Sequence, residues 1–258
     1  MDVLIVGGHG QIALRLERLL VGAGHTARGV IRNPAQAADL EAAGATPIVF
    51  DLERDAGLAD HVRGADAVVF AAGAGPTSGA PRKDTVDRAA AVLLADAAEL
   101  AGVQRYLLVS SMGVDSVAPD TALADSGDVW NAYLRAKRAA EEALRATKLE
   151  WTILRPGRLT DDPGVGKVLL APSVPSGAVT RDDTAAVLAA LLDAPGTVGQ
   201  TLELVEGDDD VLAAVASMAA ASGTTEEEEP EPGDPTASTV VAPADTAASA
   251  PVEDAPRG

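Results

Sequence analysis

Short apolar runs alternate with segments of helical periodicity along the first 220 or so residues. The runs are rich in β-branched residues and too short for helices, which is typical of buried strands. They are Val3–Val6, Thr26–Ile31, Thr46–Phe50, Ala67–Phe70, Arg105–Val109 and Trp151–Leu154, with two later runs at 167–172 and 200–205. Helical spacing is found in Gln11–Gly22, Pro34–Ala43, Lys83–Ala101, Trp130–Thr147, Asp182–Leu192 and Asp210–Ala221, with a short turn around Leu58–Val62. This alternation predicts an α/β fold, a Rossmann-like doubly wound parallel sheet with a small C-terminal elaboration.

The alternation ends near residue 222, which predicts two regions of different character. Residues 1–222 have the composition of a folded domain that includes the small C-terminal elements. Residues 223–258 are rich in Ala, Pro and acidic side chains and contain no aromatic residue. Such a segment buries too little apolar surface to offset the entropic cost of ordering. We therefore expect a disordered acidic tail that plays no part in the chemistry of the domain.

Charge and composition exclude several classes of function. The net charge of −19 and the lack of a basic stripe argue against nucleic acid as a partner. The chain has no cysteine, which excludes disulfides, thiolate metal sites and thiol catalysis, and its histidines have no metal-ligand spacing. No apolar run approaches the roughly 20 residues that span a bilayer, and the N-terminus lacks the basic region of a signal peptide. We expect a cytoplasmic protein with a small-molecule substrate, no membrane partner and no metal; the oligomeric state is not indicated.

A glycine-rich turn, GGHG, links the first strand to the first helix. Gly7, Gly10 and Ala13 form a G-x-x-G-x-x-A pattern, in which the first glycine permits a tight turn and the second a close approach to a pyrophosphate. The small third residue lets helix and strand pack closely. Gln11 and Ile12 begin the helix, whose N-terminus offers free N–H groups to an anion. A plain glycine connector is the alternative, but strand, spacing and helix together predict dinucleotide binding.

The end of the second strand bears on which dinucleotide is bound. An NAD-binding unit usually has an acidic residue about 20 residues past the glycines. Here the sequence is RGVIRNPAQ, and Arg32 stands near that position. A guanidinium suits the 2′-phosphate of NADP, although Arg32 could also be a solvated residue at a helix start. Two later strand ends fit the same cofactor: Asp51 and Leu52, near an adenine, and Ala71, Ala72 and Gly73. NADP(H) is therefore favoured over NAD(H).

A tyrosine and a lysine four residues apart are candidates for acid–base chemistry. Tyr133 and Lys137 in YLRAKRAAEEAL project from one face of the predicted helix. A nearby ammonium favours the phenolate, so the phenol can exchange a proton with a carbonyl or an alcohol. The lysine can also hydrogen-bond a cofactor ribose. The helix follows a strand that ends in Ser110 and Ser111, at the edge of the sheet where ligands bind in such folds.

Two other polar residues lie beside these motifs. His9 stands inside the glycine turn, where local packing is favoured over a contact with the cofactor. Arg155 precedes Pro156 and Gly157, and either pairs with an acid near the cleft or has an ordinary role at a strand end.

With these motifs, the sequence resembles the short-chain dehydrogenase/reductase superfamily. It is most similar to the atypical NAD(P)H-binding branch that includes NmrA-like and biliverdin-reductase-B-like proteins. The resemblance covers about residues 1–220 and rests on GGHGQIA, VIRNP, FDL, VFAAGAG, YLLVSSMGVD, YLRAKRAAEEAL, WTILRPGRLTDDPGVGKV and VTRDDTAAVLAALL. It implies a cofactor cleft at the carboxyl ends of the strands, with Pro156 and Gly157 near the nicotinamide.

The resemblance also implies a catalytic set of a serine, Tyr133 and Lys137. In that scheme Tyr133 is the general acid or base, and Lys137 orients the cofactor ribose. The serine is assigned to Ser111, but many extended members carry it where this chain has Met112, so Ser110, Ser111 and neither remain open. The expected function is an NADP(H)-dependent oxidoreductase that transfers hydride to or from a carbonyl, an alcohol or a quinone-like molecule. The alternatives are a non-catalytic NADP-binding redox sensor and a sugar epimerase or dehydratase-like enzyme.

Overall fold

A nine-stranded sheet forms the centre of the protein in a computed structural model, which describes residues 1–73, 87–117 and 129–221. The strands are β1 (Asp2–Val6), β2 (Thr26–Ile31), β3 (Thr46–Val49), β4 (Ala67–Phe70), β5 (Arg105–Val109), β6 (Glu150–Pro156), β7 (Arg158–Thr160), β8 (Lys167–Ala171), β9 (Ala178–Thr180), β10 (Gln200–Glu206) and β11 (Asp209–Asp210). Their order in the sheet is β11-β8-β10-β6-β5-β4-β1-β2-β3, and β7 pairs with β9 in a separate two-stranded sheet. The run β3-β2-β1-β4-β5-β6 is the strand order of a dinucleotide-binding fold, so the predicted fold class is confirmed.

Helices cover both faces of the sheet. They are α1 (Gln11–Gly22), α2 (Ala37–Ala42), α3 (Leu58–Val62), α4 (Ala90–Ala101), α5 (Val129–Arg145), α6 (Arg181–Leu192) and α7 (Val211–Ala221). One core cluster contains buried residues of α1, α2, α6 and α7, and the other contains buried residues of α3, α4 and α5. Alternate residues of β1 enter different clusters: Val3 and Ile5 the first, Leu4 and Val6 the second. A strand buried on both faces explains the uninterrupted apolar run in the sequence.

The C-terminal elaboration departs from a purely parallel sheet. β10 runs parallel to β6, whereas β8 is antiparallel to both β10 and β11. The sequence predicted β8 and β10 but not the short strands β7, β9 and β11, which have only two or three residues each.

The predicted helix Pro34–Ala43 is divided into a 3-10 turn, Pro34–Gln36, and α2. Asn33 caps the turn, because its Oδ1 accepts a hydrogen bond from Ala35 N at 3.1 Å. Helix α4 spans Ala90–Ala101; the start of the predicted helix at 83–86, like the predicted tail at 223–258, lies outside the described residues. The division of the chain at residue 222 stays a prediction.

Candidate functional site

A cavity of about 250 Å³ opens at the carboxyl ends of β1, β2, β3 and β4. It is lined by Gly7, His9, Gly10, Val30, Ile31, Arg32, Gln36, Phe50, Asp51, Leu52, Glu53, Ala71, Ala72, Gly73 and Ala90. All eight predicted cofactor residues at the four strand ends are therefore brought together: Gly7, Gly10, Arg32, Asp51, Leu52, Ala71, Ala72 and Gly73. Because the cavity is smaller than the roughly 300–1,000 Å³ of typical ligand sites, it matches part of a dinucleotide rather than a whole one.

The glycine turn leaves the edge of this cavity without side chains. Gly7 has a φ of +86°, and a Cβ placed there would lie 2.6 Å from the Cα of Ala72. The amide of Gly10 donates to the carbonyl of Gly7 at 2.7 Å, and a Cβ at Gly10 would lie 2.9 Å from that same oxygen. Both positions thus require glycine, for conformation at the first and for space at both. The bare backbone forms a cradle of the kind that admits a pyrophosphate.

The first two residues of α1 face different surroundings. The side chain of Ile12 lies in the core, whereas Gln11 is exposed and its Oε1 accepts a hydrogen bond from Arg15 Nη1 at 2.8 Å. Neither side chain lines the cavity, so a contact of these two residues with a cofactor would come from the free backbone N–H groups of the helix start.

A second pair of glycines, Gly8 and Gly29, lets the turn pack closely against β2. Sequence reasoning missed this pair. A Cβ at Gly8 would lie 2.8 Å from the Cα of Gly29 in β2, and a Cβ at Gly29 would lie 2.4 Å from a methyl carbon of Leu40. The amide of Gly8 donates to the carbonyl of Val30 at 3.0 Å. The glycine in the middle of β2 was the available signal, because glycine inside a strand often marks a close backbone approach.

His9 connects the glycine turn to the segment that follows β2. Its Nδ1 accepts a hydrogen bond from Gln36 Nε2 at 3.0 Å, and its Nε2 lies 2.7 Å from Asp39 Oδ2. These partners leave the proton of a neutral imidazole on Nε2, donated to the carboxylate. His9 and Gln36 both line the cavity. The contacts of His9 are therefore long-range, not the local turn packing that the sequence favoured.

Charged groups at the ends of β2 and β3 surround the outer part of the cavity. Arg32 has a half-exposed side chain, and its Nη1 lies 3.7 Å from Glu53 Oε2. Asp51 Oδ1 accepts a hydrogen bond from the amide of Glu53 at 3.1 Å, which folds the turn after β3. Sequence reasoning missed Glu53, since its proximity to Arg32 depends on the pairing of β2 with β3.

The candidate lysine is buried beneath the cavity. Lys137 is 3% exposed; its Nζ donates to the carbonyl of Val109 at 3.0 Å and to that of Ala72 at 3.4 Å. The same Nζ lies 3.4 Å from Oδ1 of Asp87, which is fully buried. Two of the ammonium hydrogens are thus donated to carbonyls, whereas the contact with Asp87 Oδ1 is an ion pair without a hydrogen bond.

Tyr133 lies on the same face of α5 as Lys137, as the spacing predicted. The Nζ of Lys137 is 5.9 Å from the centre of the Tyr133 ring. The ring of Trp130 lies 5.3 Å from that of Tyr133, and Tyr133 also packs against a small cluster of Val114, Val117 and Leu134. The tyrosine is thus held between α5 and the turn that follows β5.

The two candidate serines are placed differently. Ser111 donates its hydroxyl to the carbonyl of Met112 at 3.0 Å, whereas the Oγ of Ser110 is buried without a hydrogen-bond partner. The amide of Met112 in turn donates to the carbonyl of Pro156 at 3.1 Å. This bond joins the turn after β5 to the end of β6.

Gly157 is required by packing in the fold itself. A Cβ at this position would lie 2.5 Å from the carbonyl oxygen of Gly177, and the amide of Gly157 donates to Leu204 at 2.8 Å. Neither Gly157 nor Pro156 lines the cavity, and the same holds for Ser111, Tyr133 and Lys137. These five predicted site residues therefore lie outside the lining of this cavity, and their roles stay predictions.

Arg155 pairs with acids on two other elements. Its Nε and Nη2 donate to the two oxygens of Glu141 at 2.9 and 2.6 Å, and its Nη1 donates to Asp115 at 2.5 Å. Burial opposes the charge of Arg155, but the hydrogen bonds with Glu141 and Asp115 raise its pKa overall. The hydrogen bond with Arg155 lowers the pKa of Asp115. The network ties β6 to α5 and to the turn after β5, so it fixes the elements that carry the candidate catalytic residues.

The described ranges contain neither a cluster of three His, Asp or Glu side chains suited to a metal ion nor a helix long and apolar enough to cross a bilayer.

Comparisons with known proteins agree with this fold. A family model described as NAD(P)H-binding matches residues 7–195. An uncharacterized sugar epimerase of Bacillus subtilis is 34% identical over 220 residues, which cover 83% of this chain and 98% of that protein. A candidate NAD-dependent epimerase/dehydratase from Bacillus halodurans has a similar structure (TM-score 0.76, 35% identity, 84% of this chain and 99% of the other). So does an anaerobilin reductase of Escherichia coli O157:H7 (TM-score 0.66, 26% identity, 81% of this chain and 99% of the other). The chain belongs to the NAD(P)H-binding family, in agreement with its resemblance to the atypical short-chain dehydrogenases/reductases.

Proposed function

We propose that the protein is an NADP(H)-dependent oxidoreductase that transfers hydride to or from a carbonyl, an alcohol or a quinone-like small molecule. The observation that carries the proposal is the cavity at the ends of β1–β4, whose lining includes both the bare backbone of Gly7 and Gly10 and the side chain of Arg32. The residues fit a dinucleotide: the glycines leave room for its pyrophosphate, and Arg32 offers planar donors to a 2′-phosphate. When bound, the nicotinamide supplies the hydride chemistry.

Within this proposal the polypeptide contributes binding and proton transfer. Gly7, Gly10 and the start of α1 bind the phosphates through backbone groups. Tyr133 exchanges a proton with the substrate oxygen, and Lys137 supports it by placing a positive charge 5.9 Å from its ring. Ser111 is the candidate to orient the substrate carbonyl; to do so it must turn its hydroxyl away from Met112.

Titration of the purified protein with NADPH and NADH, followed by turnover on a panel of carbonyls, alcohols and quinones, tests the proposal. We expect binding of NADPH and activity on at least one class of substrate. Tyr133→Phe should lower kcat by at least about a hundredfold without weakening NADPH binding, since general acid–base catalysis contributes roughly 10²–10⁴-fold. Tyr106→Phe removes the same hydroxyl from a core tyrosine that donates to the carbonyl of Ala91, and it is not expected to lower kcat to that extent. Failure of both dinucleotides to bind would refute the proposal.

A non-catalytic NADP-binding sensor is the second candidate, and the burial of Lys137 favours it. An ammonium that already has Asp87, Val109 and Ala72 as partners is less available to a ribose than the catalytic scheme requires. Tight NADPH binding without turnover on the panel, and no effect of Tyr133→Phe, would select the sensor. The relative named as a sugar epimerase adds nucleotide sugars to the panel, since an epimerase would interconvert them without net consumption of the dinucleotide.

A further inference from the structure

A carboxylate shares the outer part of the cavity with Arg32. Glu53 lies two residues beyond Asp51, in the turn after β3, and its Oε2 is 3.7 Å from Arg32 Nη1. The distance is too long for a hydrogen bond but within the range of an ion pair. The side chains of Arg32 and Glu53 are 56% and 33% exposed, so both are within reach of a bound molecule.

His9 and Asp51, the other titratable side chains of the described lining, have contacts of their own. His9 lies against Asp39 at 2.7 Å, and Asp51 holds the amide of Glu53 and lies 3.8 Å from Arg54 Nε. Arg32 and Glu53 are thus a pair of opposite charge among the described residues that line the cavity. Arg32 is positively charged and Glu53 is negatively charged, whereas a phosphate site built from basic residues alone has only positive charges.

The two dinucleotides differ at this point in a way that the pair can sense. A 2′-phosphate carries about −1.5 to −2 charges near neutral pH, so next to Arg32 it also lies within a few ångströms of the Glu53 carboxylate and is repelled by it. A 2′-hydroxyl donates a hydrogen bond, which a carboxylate accepts. We propose that Glu53 determines the choice between the two cofactors: it weakens binding of NADP(H), supports binding of NAD(H), and so lets the protein accept both. This inference rests on the cofactor site proposed above.

Dissociation constants for NADPH and NADH, measured at low ionic strength for the full chain and for Glu53→Gln, test the inference. The substitution keeps the shape of the side chain and removes its charge. We expect NADPH to bind about tenfold more tightly and NADH to bind equally or more weakly, so that the ratio of the two constants shifts by at least tenfold. The gain for NADPH should shrink at high salt, because both side chains are partly exposed.

Two further variants separate the possible outcomes. Glu41→Gln removes a charge from α2, outside the cavity lining, and should leave the ratio unchanged. Arg32→Gln in the Glu53→Gln background should remove the gain for NADPH. The wild-type protein can bind a dinucleotide while Glu53→Gln leaves the dissociation constants for NADPH and NADH unchanged or changes both by the same factor. In that case the inference is wrong and the proposed function stands. If neither dinucleotide binds any variant, the proposed function itself is wrong.

Discussion

The stability of this protein should depend on the protonation of one buried acid, Glu17. It lies on α1 and is fully buried, and neither of its carboxylate oxygens has a hydrogen-bond partner. A Cβ at Gly29 would lie 2.5 Å from Glu17 Oε1, and a Cβ at Gly8 would lie 3.1 Å from the same oxygen. The carboxyl group of Glu17 therefore packs closely against the glycine turn and β2. Burial raises the pKa of Glu17 to about 8, against the smaller opposing effect of Arg18.

The direction of the effect follows from the two states of Glu17. In the unfolded chain the carboxyl group releases its proton near pH 4.5, whereas in the folded protein it keeps the proton up to about pH 8. The contribution of Glu17 to the free energy of unfolding is therefore fully present below pH 4.5 and is lost as the pH rises towards 8. At about 1.4 kcal/mol per pH unit of pKa shift, the loss amounts to about 5 kcal/mol across that window. Above pH 8 the contribution changes no further.

Glu17→Gln removes the titration while keeping the shape of the side chain. We expect the difference in the free energy of unfolding between this variant and wild type to grow with pH, in favour of the variant, by several kcal/mol between pH 5 and pH 8. Urea unfolding at closely spaced pH values measures this difference. The control is Glu41→Gln at an exposed position, for which the difference from wild type should not change with pH. If the difference in the free energy of unfolding between Glu17→Gln and wild type changes by less than about 1 kcal/mol from pH 5 to pH 8, the reasoning is refuted, because Glu17 is then not held neutral by the fold.

Three other substitutions have defined expectations. Arg155→Met should cost about 3 kcal/mol in urea unfolding, because it leaves the buried Glu141 without its main partner; a cost below 1 kcal/mol would contradict the network. Gly7→Ala should destabilise the protein by at least about 2 kcal/mol and weaken NADPH binding, whereas Gly22→Ala, with open space around it, should do neither. Thr180→Val should lower stability by about 1–2 kcal/mol through loss of the cap on α6, and Thr180→Ser should retain it in thermal melts.

The local sequence pattern was sufficient to predict the bounds of strands in which every residue is buried. Ala67–Phe70 and Arg105–Val109 are buried at every position and were predicted with their observed bounds, because a central parallel strand has a largely apolar sequence. The strands Arg158–Thr160 and Ala178–Thr180 have no such signature. Each is three residues long and exists through pairing with the other, across twenty residues of sequence. A pairing of that kind is set by tertiary contacts, which local periodicity does not contain.

The same division holds for the candidate site. The spacing of Gly7 and Gly10 and the position of Arg32 after β2 were enough to predict that they meet at one edge of the sheet, and they do. The contacts of Lys137 with Asp87 and of Arg155 with Asp115 were not predictable, since each joins side chains on elements that are far apart in sequence. The sequence was enough to select candidate residues, but the partners of their side chains depend on how the elements pack.

Both outer edges of the nine-stranded sheet have features that discourage association with another chain. One edge is β3, whose Pro47 has no amide hydrogen to offer a further strand. The other is β11, only two residues long and made of Asp209 and Asp210, with Lys167 on the neighbouring strand in contact with Asp210 at 3.0 Å. An unprotected edge would present a row of donors and acceptors to the same sequence in a neighbouring molecule. A proline on one side and a charged, shortened strand on the other protect this sheet against edge-to-edge growth and aggregation.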